Sequence, residues 1–391
     1  MRSIKTVALV AATLLLVPQL AVAADLDTEV QDMKQRLEQM ETQLKAQDKE
    51  LAAAQEDRSA TSALSSFLES TDISGFVAGG WSWNKEDGGS DSNTFAIQQY
   101  WIEMNKAPTE ESRAGFDIAL QGGEFCTVGG CNALDAAGIP TGGNTAAVHL
   151  YTANVSYLAP IGSGLTVTAG IMPTLIGYEV ENQNGNFFIT RSLVWDQQPV
   201  TSTGVTVNYG ITDALSLTVG AINAPIGDTR FSDATPKSVT SLLSYSAEKF
   251  YLSAGLNWGH KSGSFGTGGD NSKGIFDLIA TVNPTDALMI GANYDYHFGD
   301  DAAGAKDPAA TGNAVSVFAT YQVVEKTGVG ARFDYVDFDA DNKQWAITAT
   351  VAQSITDGLT GKVEYRYDKN ETDPTTDVDT NTVYVQMMYE F

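Results

Sequence analysis

The sequence predicts an all-β chain: a transmembrane antiparallel β-barrel of about sixteen strands, preceded by an N-terminal coiled-coil helix. Three observations predict it. Sixteen segments between Ile73 and Phe391 alternate apolar and polar side chains, the period of a strand whose two faces meet different media. The connections between these segments alternate short and long. An export leader opens the chain, and no later apolar run reaches the roughly 20 residues of a spanning helix.

Taken in order, Arg2 and Lys5 form a positive start, an apolar run follows from Val7 to Leu20, and Ala21-Val22-Ala23 completes a signal peptide over 1–23. Its removal takes two positive charges away, moving the formal net charge from −25 to −27. So acidic a chain lacks the basic patch that nucleic-acid binding needs.

Residues 24–57 carry a heptad seam. Val30, Leu37, Leu44 and Leu51 fall at a, and Leu26, Met33, Met40, Gln47 and Ala54 at d. Glu29 and Arg36 at g face Lys34 and Glu41 at e of a neighbouring chain. The stripe is narrower than that of a helix packed on its own chain. One such helix is marginal in water, so the seam predicts partner chains in a periplasmic coil. Residues 58–72, rich in Ser, Ala and Thr, read as a linker into the barrel at 73–391.

Within the barrel, short turns recur as Ile211-Thr-Asp-Ala214, Pro284-Thr-Asp-Ala287 and Ile355-Thr-Asp-Gly358, two hairpins apart. Long connections such as 122–146, 174–199 and 298–312 are rich in Gly, Asp and Asn. Short turns at one end and long loops at the other is the membrane-barrel pattern. Cys126 and Cys131, beside a Gly-rich turn in the second long connection, predict a small disulfide loop.

Alternation assigns the faces. Val363, Tyr365 and Tyr367 point out while Lys362, Glu364, Arg366 and Asp368 point in. Likewise Arg332 and Asp334 point in, as do Asn293, Asp295 and His297. A Lys or Arg on the lipid face near the midplane costs about 2–4 kcal/mol, so these charges belong in a wet lumen. A soluble sandwich would show the same alternation inverted. The aromatics at strand ends (Tyr157, Tyr209, Tyr245, Trp258, Tyr321) favour the membrane, where they form interfacial girdles. Arg113, Asp117, Asp295, Arg332, Asp334, Lys362, Glu364 and Arg366 are the candidate lumen wall.

The final strand, ending Val383-Tyr-Val-Gln-Met-Met-Tyr-Glu-Phe391, resembles the closing strand and assembly signal of Gram-negative outer-membrane barrels, with Phe391 as the residue read by the barrel assembly machinery. Residues 169–204 resemble the β-barrel porin-2 (OmpL-like) family through Gly177-Tyr-Glu179, the segment Phe188-Ile-Thr-Arg-Ser192, and Pro199-Val-Thr-Ser-Thr-Gly204. Phe188-Ile-Thr-Arg departs from the family pattern, which has Ser before Arg-Ser. The resemblance implies an outer-membrane porin, a water-filled channel for ions and small hydrophilic solutes, without cofactor or metal. By analogy with porins that carry such coils, it implies a homotrimer in contact with lipid and lipopolysaccharide.

The third long connection is the one expected to fold into the pore. Tyr178, Glu179, Glu181, Arg191 and Asp196 are its candidate constriction residues, since opposed fixed charges filter ions. The competing reading is a structural envelope protein, its coil spacing or tethering the membrane and its barrel plugged. An enzyme is not expected: the histidines are His149, His260 and His297, with no H-E-x-x-H and no converging triad. Net charge does not fix selectivity, because most acids sit in loops and coil while the wall carries both signs; a mild cation preference is expected.

Overall fold

The computed structural model describes residues 23–86, 89, 91–124, 148–162, 164–226, 237–260, 272–300, 305–339, 342–371 and 378–391, without the side chains of 23–30, 50–64, 260 and 342. Cys126 and Cys131, and hence their expected disulfide, lie outside the described residues, as does the leader up to Val22. The chain divides between Ser70 and Thr71 into two units.

The first unit is one helix, α1, Ala23–Glu69. It continues through most of the stretch expected as a linker, because Arg58 to Glu69 contains neither Gly nor Pro to stop it. Seam residues Met33, Leu37, Met40 and Leu44 are each more than half exposed. The single ion pair along this helix among the described residues, Arg36 to Asp32 at 3.0 Å, is itself exposed and contributes little.

The second unit has sixteen strands among the described residues: β1 (Asp72–Glu86), β2 (Ser92–Lys106), β3 (Ala114–Gly122), β4 (His149–Ala159), β5 (Leu165–Pro173), β6 (Thr201–Gly210), β7 (Leu215–Ile222), β8 (Ser238–Ala247), β9 (Phe250–His260), β10 (Ser272–Thr285), β11 (Leu288–Gly299), β12 (Gly312–Val324), β13 (Thr327–Phe338), β14 (Asn342–Thr356), β15 (Leu359–Asn370) and β16 (Val378–Glu390). Each pairs antiparallel with its sequence neighbours, and β16 pairs with β1 to close the barrel. Closure leaves no sheet edge, the condition for a sheet to stand in hydrocarbon. At the seam the Gly75 and Phe391 amides and carbonyls bond reciprocally, both at 3.0 Å.

The faces follow the alternation. Val363 and Tyr365 are about half exposed, while Lys362, Glu364 and Arg366 between them are buried. Phe333, Tyr296 and Met387 are exposed, whereas Arg332, Asp295 and Gln386 are buried. Among the described residues the register shifts in five pairings, three of them beside short turns; the other two turn extra side chains inward. Ala78 pairs with Gln99 and Gly79 with Ile97, so Gln98 is an extra residue and both glutamines turn inward. Opposite Ala119 and Leu120, Tyr151 is inserted in the same way and points inward with Thr152.

Apolar packing inside the barrel is local. Phe76 stacks on Trp101 at 6.4 Å, and Trp101 meets Tyr151 at 4.9 Å, with Ala78, Ala119 and Met388 around them. A second cluster joins Leu193 and Val194 of the third long connection to Ala314, Val336, Phe338 and Ala346 of the wall.

Candidate functional site: a loop folded into the barrel

Residues 174–199 leave β5 at the long-loop end and pack against the inner wall. Ile176, Ile189, Val194 and Trp195 are buried, as are Glu181, Gln183 and Thr190. Near the start of the loop Gly177 has a φ of +96°, which suits glycine, and a Cβ there would fall on the Gln198 side chain. Tyr178 rests on Phe318 with ring centroids 4.5 Å apart, and its amide donates to Asn293 Oδ1.

Charged wall residues grip the loop from β13 and β15. Glu364 accepts from the amides of Ile189 (2.6 Å) and Thr190 (2.9 Å), and from the hydroxyls of Thr190 (2.6 Å) and Thr350 (2.7 Å). Arg332 donates to Glu179 Oε1 (3.0 Å), the Thr190 carbonyl (2.8 Å) and the Arg191 carbonyl (3.0 Å), while Asp334 holds its Nε at 3.0 Å. Its guanidinium also lies 4.8 Å from the centre of the Phe188 ring. Lys362 Nζ donates to the Asn186 carbonyl at 2.7 Å. Arg366, paired with Asp368, donates to the Arg191 carbonyl. Charge-assisted bonds of this kind are the stronger ones, and burial leaves no water to compete with them.

Neutral amides grip the other side. Gln99 donates to the Glu181 carbonyl (3.1 Å) and accepts from the Gln183 amide (2.8 Å); Gln121 donates to Glu181 Oε1 (2.9 Å) and Gln386 to Gln183 Oε1 (2.9 Å). At the loop's exit Gln198 donates to Asp295 Oδ2 at 2.7 Å.

The expected residues therefore sort differently from their sequence grouping. Arg332, Lys362, Glu364 and Arg366 touch the loop instead of facing it across the bore, because their long side chains reach its backbone carbonyls and amides. Asp334 and Asp295 sit behind it, buried. Glu179 spends both oxygens, on Arg332 and on the Ser192 amide (2.8 Å), and Glu181 is fully buried. Asp196 is exposed. Arg113 stands just before β3 and donates to the Leu158 carbonyl at 3.1 Å. Asp117 accepts from Thr152 and Asn154. Charge does not mark the glutamines or the Trp101 cluster; the inward parity of Gln121 and Gln386 is the sequence signal for them.

Cavities remain on both sides of the loop. Toward the long-loop end lies one of about 380 Å³, bounded by Arg191, Asp196, Arg366, Asp368, Glu124 and Tyr384. Toward the short-turn end lies one of about 570 Å³, bounded by Trp101, Glu103, Asp117, Tyr151 and the loop residues Val180 and Asn182. Both carry opposed or unpaired charge beside small polar side chains.

The family described as "Putative beta-barrel porin-2, OmpL-like" matches residues 70–391. The chain belongs to this family. It is thus an outer-membrane porin, a channel for passive diffusion and not an enzyme. No curated protein matches the porin-2 chain in sequence. Among solved structures it is similar to an anion-selective porin from Comamonas acidovorans (13% identity, TM-score 0.60, covering 82% of this chain and 99% of that one). It is also similar to the channel DcaP of Acinetobacter baumannii (14%, 0.57, 82% and 97%) and to a trimer form of OmpT of Vibrio cholerae (13%, 0.53, 82% and 99%). At such identities the likeness is one of fold.

Proposed function

We propose that this porin-2 chain works as a homotrimer whose 174–199 loop is the constriction through which small hydrophilic solutes pass. The observation that carries this reading is the loop itself, pinned to both sides of the wall with a cavity above and below it. A loop so held narrows the bore without being free to leave it, and fixed charges at the narrowing select among ions. The short-turn end then faces the periplasm, where α1 and its neighbours form the coil. Phe391 is the residue the assembly machinery reads, and the outward apolar band meets lipid and lipopolysaccharide. Acids on the loops, with Glu103 and Asp117 lacking an ion-pair partner among the described residues, favour a mild cation preference.

Planar-bilayer recording tests the reading. Steady ohmic steps in groups of three, with a reversal potential on the cation side in a KCl gradient, are expected. A barrel serving only as an envelope spacer passes no steady current, and a reversal potential favouring chloride would refute the selectivity.

A further inference from the structure

We infer that solutes pass between the loop and the wall of β4–β7, and that this wall, through Asn154 and Thr168, selects uncharged polyhydroxylated molecules. The inference rests on the porin reading and names a path and a solute class for it.

Side-chain size divides the inner wall in two. From β13 to β16 the inward positions carry long side chains such as Arg332, Lys362, Arg366 and Gln386, whose ends reach the loop. The loop's bonds run to β2, β3, β11, β13, β15 and β16. Across the barrel the inward side chains are short. Strand pairing sets Ser156, Thr168, Thr206 and Gly220 in one row from β4 to β7, and Gly170 opposite Gly204 in the next. The period of two holds them inward, since Val155, Val205 and Val219 beside them are exposed on the outer face. Hydroxyls and bare glycines in place of long stems leave the bore its width on this side. The cavity of about 570 Å³ lies there, with Asn154 and Thr168, both partly exposed, on the wall side and Val180 and Asn182 on the loop side.

Charge divides the wall along the same line. Strands β5, β6, β7 and β8 contain no Asp, Glu, Lys, Arg or His. The buried charges Asp295, Arg332, Asp334, Lys362 and Glu364 all belong to the other half. An ion that gives up water beside β5–β8 meets no counter-charge on those strands, and an uncompensated charge leaving water is costly. A hydroxylated solute meets groups that both donate and accept, and so regains the bonds it loses. Thr206 Oγ1 donates to Met172 Sδ at 3.5 Å, a weak acceptor that a passing hydroxyl can replace. Glu103 and Asp117 stand on β2 and β3 at the far side of the same cavity. Their charge biases small ions and is indifferent to an uncharged sugar.

The test uses the full-length protein in planar bilayers and in vesicles. Asn154→Cys treated with a cationic methanethiosulfonate reagent should lose about half its conductance, because the added group stands in the path. Thr348→Cys on β14, at a position 0% exposed, should keep its conductance under the same treatment. The unaltered protein, which carries Cys126 and Cys131, sets the background. In vesicle swelling at equal osmolarity, glucose should enter about fivefold faster than gluconate or glucosamine, the size of one hydrogen bond regained at the wall. Thr168→Val with Thr206→Val should lower the ratio of glucose swelling to KCl conductance by about the same factor. Heat-modifiable migration verifies that each variant is folded, and Thr168→Cys stands in if Asn154→Cys does not assemble. A labelled, folded Asn154→Cys that conducts as before, a channel closed through Thr348→Cys, or glucose no faster than the charged sugars overturns the inference alone. Absence of any steady KCl current in the unaltered protein overturns the porin reading beneath it.

Discussion

At the residue scale, Glu364 shows how a lumen charge can be structural. Two oxygens satisfy four donors, two of them loop amides that have no other described acceptor. Glu364→Gln keeps the shape but turns an NH2 toward at least one of those donors. A buried donor left unpaired costs about 1–3 kcal/mol, enough to let the 186–191 segment leave the wall while the barrel ladder is untouched. We expect faster protease nicking in that segment and a noisier open-channel current, with unchanged heat-modifiable migration. Unchanged nicking would mean that Arg332 and Lys362 suffice to hold the loop. Gly330 tells the same story by space. A Cβ there would lie 2.5 Å from Phe187 Cε1. Gly330→Val should therefore cost about 1–3 kcal/mol as overpacking, lowering the urea midpoint, and Phe187→Ala in the same chain should restore most of it.

At the scale of elements, the strands were legible because each obeys a period of two set by lipid on one side and polar groups on the other. Val363 out and Glu364 in could be read directly from sequence. What could not be read was where the period slips. At Gln98 and Tyr151 one inserted residue sends two neighbours inward, and both bulges feed the loop contacts or the aromatic cluster. The loop's partners were also hidden, since which carbonyl Lys362 or Arg366 reaches depends on a fold between residues some 175 positions apart. Charge marked the right strands but suggested ions facing water where the structure has ions facing backbone. In α1 the seam is legible, and its described residues Met33, Leu37, Met40 and Leu44 are exposed. Leu37→Asp with Leu44→Asp should abolish the helical circular-dichroism signal of residues 23–69 and reduce the detergent-solubilised mass from three chains, leaving the strand signal intact. A helix that survives both charges would show that no partner chain holds it.

At the scale of the whole molecule, one physical division organises everything: hydrocarbon outside, ions and amides inside. An isolated soluble barrel would reverse it, so a single charge placed on each face separates the cases. Val363 lies mid-strand on β15, paired with the equally exposed Val351 of β14. Val363→Arg should cost about 2–4 kcal/mol in a bilayer, because no water reaches that depth to solvate the guanidinium. Asn84 of β1 bounds the cavity at the long-loop end, beside Glu124 and Asp368. Asn84→Arg meets water and carboxylates there, so stability should change little while the reversal potential moves toward anions. Urea midpoints in lipid vesicles read the first effect and bilayer recording the second. A tolerated Arg at Val363 together with a destabilising Arg at Asn84 would place the solvent on the other side of the wall.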